Sequence, residues 1–224
     1  MRVLDYADQG AHRARGLVVF LHGLGDNAAS FRQWGLVERA KSLGFDSIAV
    51  GSHFGFYRGF TLVDALEHDV FGPARTMGYR NVWVVGVSMG GFGALSYAQA
   101  HPDDVDGVML FAPYLGEPEV VAEIRQAGNL GEWEAGDVAA MEDSRPRQTR
   151  KVWLWIREQL QARNQTGTPI YLAYGTEDEG AAEHALLAHF LPEGRVIARP
   201  GIHKWTTWSP LSELLFAAAF REGE

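Results

Sequence analysis

The chain has 224 residues, of which 46% are hydrophobic and 21% charged, and its formal net charge is −8 at pH 7. This acidic balance argues against a nucleic-acid partner, because phosphate binding requires a clustered basic face. The sequence contains no cysteine, which excludes disulfides, thiolate catalysis and cysteine-ligated metals. The length and apolar content predict one globular domain over residues 1–224.

The start of the chain and the length of its apolar runs indicate whether to expect a signal peptide or a membrane span. No apolar run follows Met1 and Arg2, so we expect no signal peptide. No stretch approaches the ~18 apolar residues that a membrane span needs. We therefore expect a cytoplasmic protein with a small-molecule substrate, no cofactor and no metal; the sequence does not indicate an oligomeric state.

Short apolar runs recur along the chain as candidate strands. Residues 17–21 are continuously apolar and rich in β-branched side chains, which is typical of a parallel strand buried on both faces. Residues 2–6 are a candidate edge strand. The remaining predicted strands are 46–50, 82–87, 105–111, 169–174 and 195–198.

Helical patterns lie between these strands. Three of them stop at residues that end helices, namely before Gly44, at Gly78 and before Pro102. The alternation predicts a three-layer α/β fold: a mostly parallel, doubly wound sheet with helices on both faces and a minimal cap or none. The predicted helices are 31–42, 62–77, 89–100, 181–190 and 206–220.

Residues 116–167 interrupt the alternation. The first part is acidic and contains glycine, and the second holds a tryptophan-rich helical pattern at 152–156. Connections this long in a compact domain are usually lids or insertions. Ordinary packing of a helix on the sheet is the alternative for this segment.

The strongest local signal is the pattern G-x-S-x-G formed by Gly86, Ser88 and Gly90. An apolar strand precedes it and an amphipathic helix follows, which is the context of a nucleophile elbow. The chain must turn sharply there to raise the serine hydroxyl above the sheet, and glycines two positions away relieve the crowding. Ser88 is therefore the predicted nucleophile.

Acyl transfer also requires two hydrogen-bond donors for the developing oxyanion. The backbone N–H of Met89, directly after the nucleophile, is the first candidate. The second should follow an earlier strand, where His22, Gly23 and Gly25 surround Leu24. We predict the N–H of Leu24 as that donor.

A serine nucleophile needs a base, and in this fold the base comes last in the chain, after the acid. His203 lies in a loop after the last predicted strand and is the predicted base. His184 and His189 also lie late in the chain, but within a helical pattern. We expect these two to be partly exposed helix residues.

The acid should follow the strand before the last one. Asp178 stands there between Glu177 and Glu179, and spacing alone does not choose among the three. Asp178 is the predicted acid, and the two glutamates are expected to be solvated neighbours. Glu117 and Glu119, after the preceding strand, are a weaker alternative.

Apolar side chains near the expected mouth of the site are candidates for binding an acyl or aryl group. We predict substrate contacts from Phe54, Tyr114 and Trp205 in particular. Each of them also fits an ordinary role as a core or surface aromatic. The wider candidate set adds Phe56, Tyr57 and Leu115.

Over nearly its whole length the chain resembles the α/β-hydrolase superfamily, and within it the putative esterase group that includes esterase D and the enterochelin and mycolyl esterases. The segment 86–95, followed by His101-Pro102, carries the resemblance. So does the segment 201–208, which is similar to the Gly-x-His-x-Trp-x-x-Trp around that group's catalytic histidine. The chain departs from the group in lacking a long N-terminal hairpin and in its His-Gly-Leu-Gly loop, which is closer to small carboxylesterases.

These features together predict a serine hydrolase that cleaves carboxylic esters through an acyl-enzyme intermediate. An acyl thioesterase or an amidase could use the same three residues. A protein that binds a small ligand without catalysis is the alternative of a different class. An intact serine, histidine and aspartate set counts against that alternative.

Overall fold

The computed structural model describes residues 1–8, 10–162 and 167–221. Seven strands form one sheet in the order β1-β3-β2-β4-β5-β6-β7. β1 pairs antiparallel with β3, and every other pairing is parallel. The strands are β1 Arg2–Asp5, β2 Gly16–Leu21, β3 Phe45–Gly51, β4 Val82–Val87, β5 Gly107–Phe111, β6 Ile170–Gly175 and β7 Val196–Arg199.

The helices surround this sheet. The α-helices are α1 Ser30–Gln33, α2 Leu36–Ser42, α3 Phe54–Arg58, α4 Leu62–Leu66, α5 Gly72–Met77, α6 Met89–Ala100, α7 Pro118–Ala127, α8 Arg145–Gln161, α9 Ala181–Phe190 and α10 Trp205–Arg221. A π-helical turn, Glu67–Phe71, joins α4 to α5, and Pro102–Asp104 forms a 3₁₀ turn. None of the described helices is long and apolar enough to cross a membrane.

The central strands explain why helices cover both faces. Every residue of β2, β4, β5 and β6 is buried, as expected for parallel strands with two covered faces. α2 packs on β3 and against α10, which lies on β6 and β7. α6 packs on β2, β4 and β5 and contacts α4 and α8. The α/β-hydrolase-like sheet expected from the sequence is confirmed.

Several helices differ from the sequence-based expectation. The helix predicted over 31–42 is broken at Gly35, whose φ of 82° is left-handed. The pattern over 62–77 is helical throughout but contains the π turn. α3 and α7 were not predicted, because α3 is only five residues long and α7 lies within the acidic segment of 116–167.

Candidate active site

Ser88 occupies the turn between the end of β4 and the start of α6. Its φ is 52° and its ψ is −119°, a backbone conformation that residues other than glycine rarely adopt. A Cβ on Gly86 would lie 2.4 Å from the Gly90 carbonyl oxygen, and one on Gly90 would lie 2.0 Å from the Leu21 carbonyl oxygen. Both glycines are therefore required by close backbone approach.

Three backbone hydrogen bonds hold the Ser88 turn. Its N–H donates to the Phe111 carbonyl over 2.9 Å. Its own carbonyl accepts from the N–H groups of Gly91 and Tyr114, each over 2.9 Å. The end of β5, Tyr114 after it and the first turn of α6 thus hold the strained residue, and these contacts maintain its conformation.

His203 lies between Ser88 and Asp178. Its Nδ1 is 2.7 Å from Asp178 Oδ2, and its Nε2 is 3.0 Å from Ser88 Oγ. Because a carboxylate only accepts, Nδ1 carries the proton and Nε2 is free to accept the serine hydroxyl proton. The Asp178 side chain is 0% exposed and the His203 side chain 30% exposed. A buried carboxylate that orients a partly accessible imidazole is the arrangement used for nucleophilic catalysis.

Backbone contacts connect the loop that carries Asp178 with the loop that carries His203. The Glu177 N–H donates to the Gly201 carbonyl over 2.9 Å. A Cβ on Gly175 would lie 2.2 Å from that same oxygen, so the two loops approach too closely for any side chain at position 175. Asp178 Oδ1 also accepts the Gly180 N–H over 2.9 Å.

Burial distinguishes the three neighbouring acids. Asp178 points inward to His203, whereas Glu177 and Glu179 are exposed. Glu117, which was a weaker candidate for the acid, binds the Tyr114 hydroxyl and Arg145 instead. The burial and the partners of these acidic residues depend on tertiary contacts. They could therefore not be predicted from the order of residues in the sequence.

The loop that carries Leu24 passes beside Ser88. A Cβ on Gly23 would lie 3.1 Å from Ser88 Cβ. The buried His22 ring donates through Nδ1 to the Gly23 carbonyl over 2.7 Å and accepts the Ser52 N–H at Nε2 over 3.2 Å. Carbonyl and N–H point in opposite directions in a trans peptide, so the Leu24 N–H points away from His22.

His184 departs from expectation. We expected it to be a partly exposed helix residue like His189, but it is 2% exposed, whereas His189 is exposed. Its Nε2–H donates to the Pro113 carbonyl over 3.1 Å, and its buried Nδ1 has no hydrogen-bond partner among the described residues. Burial lowers the pKa of the His184 imidazole below its ordinary value.

The tryptophans of the segment 201–208 pack near His203. The Trp208 ring meets the His203 ring edge to face at 4.8 Å. Trp205 stacks on Trp34 with ring centroids 6.2 Å apart, and its indole N–H donates to Asp26 Oδ2 over 2.6 Å. Asp26 follows the Leu24 loop, so Trp205 joins that loop to the start of α10.

Two cavities open beside Ser88, and Tyr114 lines both. The first has a volume of about 410 Å³. Its walls include Ser88, Pro113, Leu115, Val121, His184 and His203. The second has a volume of about 210 Å³, and its walls include Leu24, Phe54, Tyr57, Phe60, Met89 and Phe92. Trp205 is not among the residues that line either cavity.

Charged and phenolic groups also line the second cavity. They are Arg58, Glu117 and Arg145 and the phenols of Tyr57 and Tyr114. The Tyr114 hydroxyl donates to Glu117 over 3.0 Å, and burial together with that carboxylate raises the pKa of the phenol. Burial raises the pKa of the Tyr57 phenol to about 12, so both phenols are neutral near pH 7.

One acidic cluster in the described part of the chain has the spacing of metal ligands: Glu67, His101 and Asp104 have ligand atoms within 4.8 Å of one another. Arg75 donates to both carboxylates, and the Tyr97 hydroxyl donates to Glu67. The arginine lowers the pKa of Glu67 and occupies the position that a cation would take. This cluster is an ion-pair network, and none of its residues belongs to the Ser88 turn.

Sequence reasoning missed the contacts of Asp26 and Trp208 and the buried state of His184. The aromatic positions of the segment 201–208 were visible, but their partners were not. His184 gave no sequence signal, because an isolated histidine in a helix is more often exposed.

Comparison with known proteins adds a family match. The family model described as Putative esterase matches residues 62–213. This range contains Ser88, Asp178 and His203 but not the Leu24 loop. Among curated proteins, no sequence matches this chain.

Solved structures resemble the whole chain. The S-formylglutathione hydrolase of Staphylococcus aureus has a TM-score of 0.62 at 13% identity, covering 93% of this chain and 81% of that one. The fluorophosphonate-binding serine hydrolase F of the same species has a TM-score of 0.63 at 14% identity, covering 97% of each chain. An α/β hydrolase from the metagenome of lagoon sediments has a TM-score of 0.62 at 18% identity, covering 98% of this chain and 94% of that one. At these identities the likeness establishes the α/β-hydrolase fold.

Proposed function

The chain belongs to the Putative esterase family and is a carboxylesterase-like hydrolase, and from this premise we propose that it cleaves carboxylic esters with Ser88 as nucleophile, His203 as base and Asp178 as acid. The observation that carries the proposal is the continuous hydrogen-bonded chain from Asp178 Oδ2 through His203 to Ser88 Oγ, at 2.7 and 3.0 Å. A ligand-binding role would need none of these contacts.

In the first half of the reaction, Ser88 Oγ attacks the ester carbonyl carbon while its proton passes to His203 Nε2. The imidazolium that forms is stabilised by the buried Asp178 carboxylate. The carbonyl oxygen becomes an oxyanion, for which the N–H groups of Leu24 and Met89 are the proposed donors. The N-terminus of α6 adds its dipole at the same point.

His203 then gives its proton to the leaving alcohol oxygen, and the carbon–oxygen bond breaks to leave an acyl group on Ser88. A water molecule enters, His203 takes its proton, and the resulting hydroxide attacks the acyl carbon. The second tetrahedral intermediate collapses as His203 returns the proton to Ser88 Oγ. This releases the carboxylic acid and restores the starting state.

The two cavities divide the substrate between them. The leaving oxygen must reach His203 Nε2, so the alcohol part belongs in the cavity of about 410 Å³ that His203 lines. The acyl part then extends towards the cavity of about 210 Å³, with Phe54 and Tyr114 as apolar contacts. Trp205 contacts the Leu24 loop and not the substrate, because its indole N–H donates to Asp26.

The experiment is hydrolysis of p-nitrophenyl esters from acetate to palmitate by the wild type and by Ser88→Ala. We expect the variant to lose on the order of 10⁴-fold or more in kcat/KM, because the nucleophile is gone. We expect the smaller second cavity to favour short acyl chains. Folded wild-type protein that hydrolyses none of these esters, or a Ser88→Ala variant as fast as the wild type, would contradict the proposal.

A further inference from the structure

Among the described residues, His184 is the buried histidine that lines the cavity of about 410 Å³ and that the proposed reaction does not use. It lies on α9, directly after the loop that carries Asp178. Its Nε2–H bond to the Pro113 carbonyl spans 71 positions of the sequence, so it connects α9 to the segment that follows β5. Without this donor, the Pro113 carbonyl would lose its partner inside the protein, which is costly.

The Pro113 carbonyl shares a peptide plane with the Tyr114 N–H. The described chain contains no cis peptide bond, so this carbonyl and this N–H point in opposite directions. On one side the plane is held by His184 at 3.1 Å; on the other its N–H donates to the Ser88 carbonyl over 2.9 Å. Rotation of this plane would break both bonds together.

The Ser88 carbonyl in turn shares a plane with the Met89 N–H. Because Tyr114, together with Gly91, holds the carbonyl on one side, the Met89 N–H is directed to the opposite side. That N–H is the proposed donor to the oxyanion. A strained residue such as Ser88, with φ 52°, depends on outside contacts to keep this plane in place.

We infer that His184 is a positioning residue for the oxyanion hole, acting through two successive peptide planes, Pro113–Tyr114 and Ser88–Met89, to hold the Met89 N–H in its productive direction. The inference rests on the proposed function, since it assigns His184 to the same reaction. It parallels the first loop, where buried His22 holds the Gly23 carbonyl and so directs the Leu24 N–H. Each proposed donor is then fixed by a buried histidine that binds a carbonyl.

The test compares two substitutions of similar length. His184→Gln keeps an N–H at the end of the side chain, where it can reach the Pro113 carbonyl, whereas His184→Met fills the space without a donor. His189→Met, on the exposed side of the same helix, is the matched control. All variants are measured for melting temperature, p-nitrophenyl acetate kinetics and inhibition by phenylboronic acid, which forms a tetrahedral adduct with a reactive serine.

Loss of an oxyanion donor lowers kcat by about 10²–10³-fold, so a misdirected one should cost about tenfold or more. For His184→Met we expect that fall in kcat, a boronate affinity weaker by a similar factor, and a KM within about twofold of the wild type. His184→Gln and His189→Met should stay within about threefold of the wild type in every parameter.

Several results would overturn the inference in an active wild-type enzyme. His184→Met with unchanged kcat and boronate affinity would remove the positioning role, and a raised KM with unchanged kcat would make His184 a substrate contact. If His184→Met does not fold, His184→Leu replaces it, and unfolding of both would assign His184 to stability alone. An inactive wild type would instead count against the proposed function.

Discussion

At the scale of single residues, neighbours of similar residue type differ in burial. Three acidic residues stand side by side at 177–179, and only Asp178 turns inward to His203. Two histidines share α9, and only His184 is buried. The sequence predicted Ser88, Asp178 and His203 because motif and chain order mark them. It could not predict the partners of His184, since those depend on contacts between distant segments.

Replacing the acid tests the role of burial directly. Asp178→Asn keeps the shape but removes the charge that stabilises the imidazolium and selects its tautomer, so we expect kcat to fall by about 10³–10⁴-fold while the fold survives. Glu177→Gln, at the exposed neighbouring position, is the control and should keep wild-type kinetics. The assignment fails if Glu177→Gln is the slow variant and Asp178→Asn is not.

The burial of His184 should also affect how the free energy of unfolding depends on pH. Burial holds its pKa below the ordinary value, although Asp178 and Glu183 oppose the shift. Below about pH 6.5 the unfolded chain binds a proton at His184 that the folded chain does not, so the free energy of unfolding falls as the pH drops. Urea unfolding between pH 7.5 and 5.5 should show this fall.

The matched variants isolate the contribution of this one histidine. His184→Gln removes the titrating group and should flatten the fall in stability, while His189→Gln should leave it as in the wild type. If the free energy of unfolding depends on pH equally in the wild type and in His184→Gln, the titration of His184 does not contribute to this dependence.

At the scale of elements, the strand–turn–helix unit of β4 and α6 determines where the chemistry can occur. Its glycines could be predicted, because the G-x-S-x-G spacing follows from the crowding at Gly86 and Gly90. The helices α3 and α7 could not, because a five-residue helix and an acidic segment carry weak periodicity. The break at Gly35 was missed because apolar spacing continues across it.

A methyl group at position 90 tests the close contact between α6 and β2. In Gly90→Ala the new Cβ would lie 2.0 Å from the Leu21 carbonyl oxygen, so the helix must shift. We expect a loss of about 1–3 kcal/mol or more in the free energy of unfolding, with lower activity as the turn moves. Gly131→Ala, where the nearest atom lies at 3.3 Å, is the control. Equal urea midpoints for the two variants would contradict the crowding argument.

At the scale of the whole molecule, the parallel sheet brings distant segments to one edge. Loops after β2, β4, β5, β6 and β7 meet at the carboxyl ends of the strands, where sites of open α/β sheets form. We propose that residues 116–162 belong to the same domain and serve as cavity wall, since the buried Trp153 indole donates to the Leu115 carbonyl over 2.9 Å, Val121 lines the first cavity and Thr149 the second. The parallel sheet could be predicted from the alternation of strands and helices. The order of the strands was not predicted, and the cavities depend on side-chain packing and could not be predicted.

The most direct test of the central claim is covalent labelling of the folded protein with a fluorophosphonate, followed by peptide mapping. We predict one label, on Ser88, because the hydrogen-bonded His203 activates that hydroxyl alone. Ser88→Ala should take up no label, and Asp178→Asn should label more slowly. A label on another residue, or none on folded wild-type protein, would contradict the account of this molecule as a serine hydrolase acting through Ser88.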